Sequence, residues 1–433
     1  MVELFLLLIG APAIRRKWWV LWLIGMVWMA IGVFFFIDAF DDEIRIPPTY
    51  FTIPLLIDAA FSVTAAFNHT AKARLLRFAK AGVSVGVVLL IIDAPWHHDM
   101  YVGLLVGAFL VADAMWRATS AYVVRYARWR LSMVNAAVEF LLGLWSLSPW
   151  PTQWQGEVGA DVGLLLLVSA AGLCSLALRL RNLPPGVPLA TILTRGWPRH
   201  TEEAASAADP LPEAPATRER ASATVHVWTP TGELVPVNQS VRRYVVAVDR
   251  RGVVSTGHAA LEAPPDIYIS HYPIVEIDRS KLDFTRILRA TADNDVPGVF
   301  QPSYQEERAA WRPSTRRVRL EGIDDRALRA FWADYRRDTT YNLTNRNCSS
   351  AVSKALDAGL EGIFAEQARS AYFLTRLLVM PELWIAGVMR RRAAAMSWTP
   401  GIVLDYARAL SHVVALPERL AGATQRTGHT KKD

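Results

Sequence analysis

Residues 18–37, WWVLWLIGMVWMAIGVFFFI, are twenty consecutive uncharged side chains. At 1.5 Å of rise per residue such a helix is about 30 Å long, the thickness of a bilayer's hydrocarbon core. No small-residue cleavage site follows it, so it reads as a membrane span and not as a signal peptide. Working outward, further apolar segments lie at 50–67, 78–93, 100–116, 131–148 and 161–178, which predicts a six-helix transmembrane bundle. The 433 residues divide by charge: the first 182 carry 14 basic and 12 acidic residues, the remaining 251 carry 33 and 28. The mean hydropathy of +0.18 therefore averages a membrane half and a soluble half, and it excludes a disordered or fibrous chain.

Basic residues fall in alternate loops. Arg15, Arg16 and Lys17 precede the first span; Lys72, Arg74, Arg77 and Lys80, then Arg117, Arg125, Arg128 and Arg130, then Arg179 and Arg181 follow at every second loop. The other loops hold Arg45 alone among acids. By the positive-inside rule both termini and the soluble half face the cytoplasm.

A period near 55 residues supports the span count. Ile37-Asp38-Ala39 recurs as Ile92-Asp93-Ala94, Asp58-Ala59-Ala60-Phe61 as Asp113-Ala114-Met115-Trp116, and Pro95-Trp96 as Pro149-Trp150. The unit is a two-helix hairpin used three times. This spacing, with a basic residue and Trp before a Gly-spaced span and Pro after it, resembles the HdeD-type acid-resistance membrane proteins over residues 14–182. The resemblance implies a stress-associated protein of the bacterial inner membrane. Asp58 and Asp113 are intramembrane acids at equivalent repeat positions, open to two readings: proton sensing, or hydrogen bonding inside the bundle.

Residues 1–182 are thus expected as the membrane domain. Residues 183–222, with seven prolines and the run EEAASAADP, form a linker. A soluble α+β domain at 223–365 opens on alternating runs, TVHVW, RRYVVAVD, GVVSTGHAAL and DIYISHYP, which predict an antiparallel sheet. RRVRLEG adds a strand, a helix follows over about 324–337, and NRNCSSAVSKALDAG opens a second helix. Residues 366–433 complete the chain with amphipathic helices and a polar tail. There Trp384, Trp398 and the Arg390–Arg392 run suit a helix pair lying on the leaflet, or one packed against protein.

Cys174 and Cys348 are the only cysteines, too few for a disulfide framework or a Cys-rich zinc site. Cys348 stands at a helix start, where Asn345, Asn347 and Ser349 are available as caps and the first-turn N–H groups favour thiolate. Val352, Ala355, Leu356 and Gly359 follow at i+4, i+7, i+8 and i+11, so the sulfur shares the face that packs on the sheet. His258, a histidine among small apolar neighbours on a strand, is the expected general base. His271, sharing a side with Ile267 and Ile269, is the expected orienting group.

GHAAL, YISHYP thirteen residues on, and YNLTNRNC opening a helix resemble the circularly permuted papain-like superfamily over residues 240–362. That superfamily includes NlpC-type hydrolases and lecithin:retinol acyltransferase-like enzymes. The resemblance implies a thiol hydrolase or acyltransferase with Cys348 as nucleophile, His258 as base and His271 as third member, acting through a thioester on an amide, peptide or lipid acyl bond. Residues 275–316 have no counterpart in the pattern.

No cofactor or metal is expected. His97, His98 and Asp99 lack further ligands, and the acids Glu321, Asp324, Asp325 and Asp334 have no coordinating spacing. The basic run WRPSTRRVR at 311–319 suits anionic phospholipid or solvent better than nucleic acid, so the bilayer is the expected partner and nucleic acid is not. A non-catalytic stress protein is the remaining alternative, and the oligomeric state is left open.

Overall fold

The computed structural model describes residues 2–40, 98–126, 129–149, 157–183, 187–189, 220–229, 247–248, 254–255, 257–275 and 284–420, with Ile277 and single positions between 52 and 92. The second and third expected spans and Asp58 lie largely or wholly outside these residues, as does most of the linker. Two compact units emerge. One comprises residues 18–118 and 132–179, and the other residues 1–17, 119–131 and 180–433.

The chain starts with two short helices, α1 (Val2–Ile9) and α2 (Ala11–Arg16). Among the described residues four long helices follow: α3 (Trp18–Asp38), α4 (His98–Val124), α5 (Trp129–Leu147) and α6 (Glu157–Arg181). Among the described residues three stretches are long and apolar enough to cross a membrane: Trp18–Asp38, Gly103–Val124 and Gly159–Arg181. The fourth long helix, α5, coincides with the expected span at 131–148 but is not one of these three, because Arg130, Asn135 and Glu139 interrupt it.

Small residues let these helices approach backbone to backbone. A Cβ on Gly32 of α3 would lie 2.9 Å from the Gly163 carbonyl of α6, and one on Gly107 of α4 would lie 2.8 Å from the Gly143 carbonyl of α5. Asp113 pairs with Arg117 one turn later at 2.6 Å, and Arg117 reaches Glu139 on α5 at 3.2 Å. In the structure, then, Asp113 sits in an ion-paired cluster.

The other unit is α+β. Its main sheet is antiparallel with order β5-β4-β1-β8, built from β1 (Arg220–Trp228), β4 (His258–Ala263), β5 (Ile267–Ile269) and β8 (Arg316–Asp324). A two-residue ladder, β2 (Ala247–Val248) with β3 (Val254–Ser255), is what the described residues hold of RRYVVAVD and GVV. A second sheet, order β6-β7-β9, joins β6 (His271–Pro273), β7 (Val296–Phe300) and β9 (Thr340–Tyr341). The expected strand DIYISHYP is therefore split: the chain passes from one sheet to the other at Ser270.

Between the strands lie α7 (Phe284–Ile287), α8 (Tyr304–Ala310), α9 (Asp325–Tyr335) and α10 (Cys348–Leu360). After them come α11 (Ala371–Leu378), α12 (Pro381–Ala395) and α13 (Pro400–Val414). Helix α10 is buried along nearly its whole length, with Val352, Ala355 and Leu356 fully enclosed. It lies against β4 and is backed by α9 and α13.

Residues 1–17, grouped with the spans by hydropathy, belong in the structure to the α+β unit. Leu4, Leu6, Leu7, Leu8 and Ile9 are buried there, against α12 and α10. Each such side chain gains about 1.5–3 kcal/mol from burial, which explains why an apolar segment too short to span a bilayer packs on protein. Gly362 N–H donates to the Leu7 carbonyl at 2.8 Å and Phe364 N–H to that of Leu8 at 2.9 Å. The crossing needs glycine on both sides: Gly10 has φ +91°, and a Cβ there would lie 2.6 Å from the Gly362 Cα.

Candidate functional site

Asn347 caps α10. Its side chain accepts from Ser350 N–H at 2.8 Å, while Ser350 Oγ accepts from Asn347 N–H at 2.8 Å, a reciprocal capping box. Of the three expected caps Asn347 takes the role. Its Nδ2 also donates to the Leu343 carbonyl, Ser397 Oγ and the Trp398 carbonyl, so the loop before α13 fixes the start of the helix.

Cys348 is the first residue of α10 and is buried. Burial pushes its thiol up, but the His258 imidazole by charge and hydrogen bond, the Ala259 amide and the Ser349 hydroxyl outweigh burial, and the thiol titrates below its ordinary range. The structure thus brings together Cys348 and His258, 90 positions apart in sequence.

The His258 ring is held from three sides. Its Nε2 lies 2.8 Å from Ser270 Oγ. Ser270 commits its proton to Glu307, donating to Oε2 at 2.7 Å, so the hydroxyl accepts from His258 Nε2–H. That tautomer leaves the Nδ1 lone pair as the basic nitrogen available to the thiol. Tyr272 stacks on the imidazole at 4.0 Å between ring centroids, and Trp228 lies 5.3 Å away on its β1 partner position.

Glu307, on α8, collects the whole of this face. Tyr268 Oη donates to it at 2.6 Å, Ser270 Oγ at 2.7 Å and Tyr272 Oη at 2.7 Å, and His258 Nε2 is 3.4 Å from its Oε1. The three donors sit at i, i+2 and i+4, the period of extended chain. Burial and the carboxylate beside them raise both tyrosine hydroxyls well above their ordinary range, so they remain donors. Sequence reasoning did not find Ser270 or Glu307. Glu307 stands in the first turn of a helix capped by Ser303, where an acid already has a local explanation in the helix dipole.

His271 is not brought to His258. Its Nε2–H donates to the Thr339 carbonyl at 3.2 Å, and its ring packs against Phe300 and Tyr341. The reason is strand parity: Tyr268, Ser270 and Tyr272 turn to Glu307 and His258, and His271, between the last two, turns away to Thr339, Phe300 and Tyr341. Burial, helped by Arg346 and Lys354 and opposed by the Thr339 bond and Asp338, pushes the His271 imidazole down to about 4. Gly298 makes room for it, since a Cβ there would lie 2.6 Å from His271 Nε2.

Among the described residues no group of three or more His, Cys, Asp or Glu side chains could hold a metal ion. A thiol of lowered pKa beside an imidazole, with a hydroxyl and a carboxylate behind the ring, is the arrangement that nucleophilic thiol chemistry uses. No family model, curated protein or solved structure matches the chain.

Proposed function

We infer that the chain is a membrane-anchored thiol hydrolase of permuted papain-like architecture, tethered by an HdeD-like six-helix bundle in the bacterial inner membrane. The observation that carries this reading is the Cys348–His258–Ser270–Glu307 chain at the capped start of a buried helix. Cys348 attacks the carbonyl carbon of an amide or peptide bond and forms a thioester. His258 takes the thiol proton at Nδ1 and returns it to the leaving amine. Water, activated by the same nitrogen, then releases the acid and frees the sulfur. Ser270 and Glu307 hold the imidazole and stabilise its charged form. They take the part that the superfamily resemblance assigns to His271. A role in acid or heat tolerance follows from the HdeD resemblance alone.

A second reading, acyl transfer from lipid, has one observation of its own. Val299 pairs across from Tyr272, and Ile274 lies two residues beyond it, both exposed beside the ring that stacks on His258. Antiparallel partners project to the same side, so an apolar rim borders the site.

The test is labelling of the full-length protein with an iodoacetamide probe at neutral pH, followed by product analysis with peptide and phospholipid substrates. Selective labelling of Cys348, and turnover lost in Cys348→Ser, are expected. An inert Cys348 in folded protein, or turnover that survives Cys348→Ser, overturns the hydrolase in favour of a non-catalytic stress protein. Acyl release from phospholipid alone favours the second reading.

A further inference from the structure

Helices α11 and α12 are bent by 59° relative to each other. Their inward stripes are complete: Phe373, Leu377 and Met380, then Leu383, Ala386, Arg390 and Ala393, are all buried. Arg390 is neutralised there by Asp357 at 3.0 Å, to which Tyr406 also donates at 2.7 Å. Because α12 packs on α1 and α13, protein covers the inward face of the pair.

The outward stripe is different. Trp384, Ile385 and Val388 are 50%, 45% and 59% exposed, and Tyr372 and Val379 on the preceding turns are 65% and 45% exposed. Arg391 and Arg392 continue the same face, at i+7 and i+8 from Trp384, and both are exposed. Over 366–396 the exposed charges are Arg369, Arg376, Arg391 and Arg392 against Glu366. Apolar residues within a cationic border are the composition of an interfacial helix facing anionic lipid. The chain supplies the bilayer, since α3 starts at Trp18, directly after the segment 1–17 that belongs to this unit. So short a tether keeps the local lipid concentration high.

We propose that the outward face of α11–α12 docks on an anionic bilayer surface. Trp384, Ile385 and Val388 enter the acyl boundary, and Arg391 and Arg392 meet the phosphate headgroups.

The test uses the full chain in liposomes with Cys174 and Cys348 changed to Ser and an NBD fluorophore on Val388→Cys. Brominated phosphatidylglycerol is expected to quench the probe several-fold more than it quenches one on Glu321→Cys. Arg391→Glu with Arg392→Glu is expected to remove most of that difference, with the protein still monodisperse on size exclusion. A Val388 probe no more quenched than the Glu321 probe overturns the proposal, as does quenching that is equal in neutral brominated lipid. Shielding that follows the protein-to-lipid ratio instead of the bromine also overturns it, and identifies a second copy as the occupant.

Discussion

Cys348 is a buried thiol held below its usual range, and the sign of its titration follows from its neighbours. As pH rises, thiolate forms earlier than in an ordinary cysteine, so the alkylation rate should reach half its plateau at a pH clearly below the ordinary thiol value. Rate–pH profiles by mass spectrometry will check this. Glu307→Gln removes the carboxylate behind Ser270 while keeping the volume, and should reduce turnover by about 10- to 100-fold with Cys348 still alkylated, a loss in the range of orienting interactions. Unchanged turnover would make Glu307 purely structural. His271 yields a stability prediction instead. Its folded pKa of about 4 lies below the ordinary 6.5, so on acidification the unfolded chain takes up the proton first. The stability from keeping it neutral is full above pH 6.5 and is lost as pH falls toward 4, a contribution of about 3 kcal/mol at most. Thermal melts of His271→Gln should be flatter than wild type between pH 4 and 6.5; parallel curves would show that other groups dominate.

At the scale of elements, α1 is the part whose role changed most between sequence and structure. Leu7 is fully buried, and Leu7→Ala should destabilise the α+β unit by about 2–5 kcal/mol. A chain starting near residue 218, which keeps β1 whole, lacks this helix and should melt lower than one in which residues 1–17 are retained. Equal melting temperatures would show α1 to be dispensable. Hydropathy alone cannot separate VELFLLLI from the span that follows, because burial in protein and burial in lipid select the same side chains. Helix α10 and strands β1, β4 and β8 were legible, since periodicity and capping residues report local structure. That Cys348 and His258 are neighbours was legible because a lone cysteine at a helix start and a histidine on a core strand are uncommon choices there. Ser270 and Glu307 were not: choosing Ser270 over His271 requires knowing which face of the split strand meets His258. Glu307 requires the fold of residues 275–316, where β7 and α8 carry no motif of their own.

At the scale of the whole molecule, connectivity constrains topology. The chain leaves the α+β unit after residue 17, returns by 119, leaves after 131 and returns at 180. If the helical unit is the membrane part and the α+β unit lies on one side, each excursion must cross the bilayer an even number of times. On that premise residues 132–179, which hold most of α5 and of the span-length α6, would need α5 as the return crossing despite Arg130, Asn135 and Glu139. The Glu139–Arg117 pair at 3.2 Å lowers the cost of carrying an acid there. The alternation of basic loops expected from the sequence points the same way, since Arg125 and Arg128 precede α5 and Arg130 lies in its first turn, while Glu157 and Asp161 lie at the start of α6. A protease site inserted after Pro149 should therefore be cut from the side opposite to one appended at Asp433. In spheroplasts the Pro149 site should be cleaved by external protease and the C-terminal unit protected. Cleavage of both sites from the same side would mean that α5 does not cross. Cleavage of the C-terminal site alone would invert the orientation and put Cys348 in an oxidising compartment, where a free thiol nucleophile is at risk.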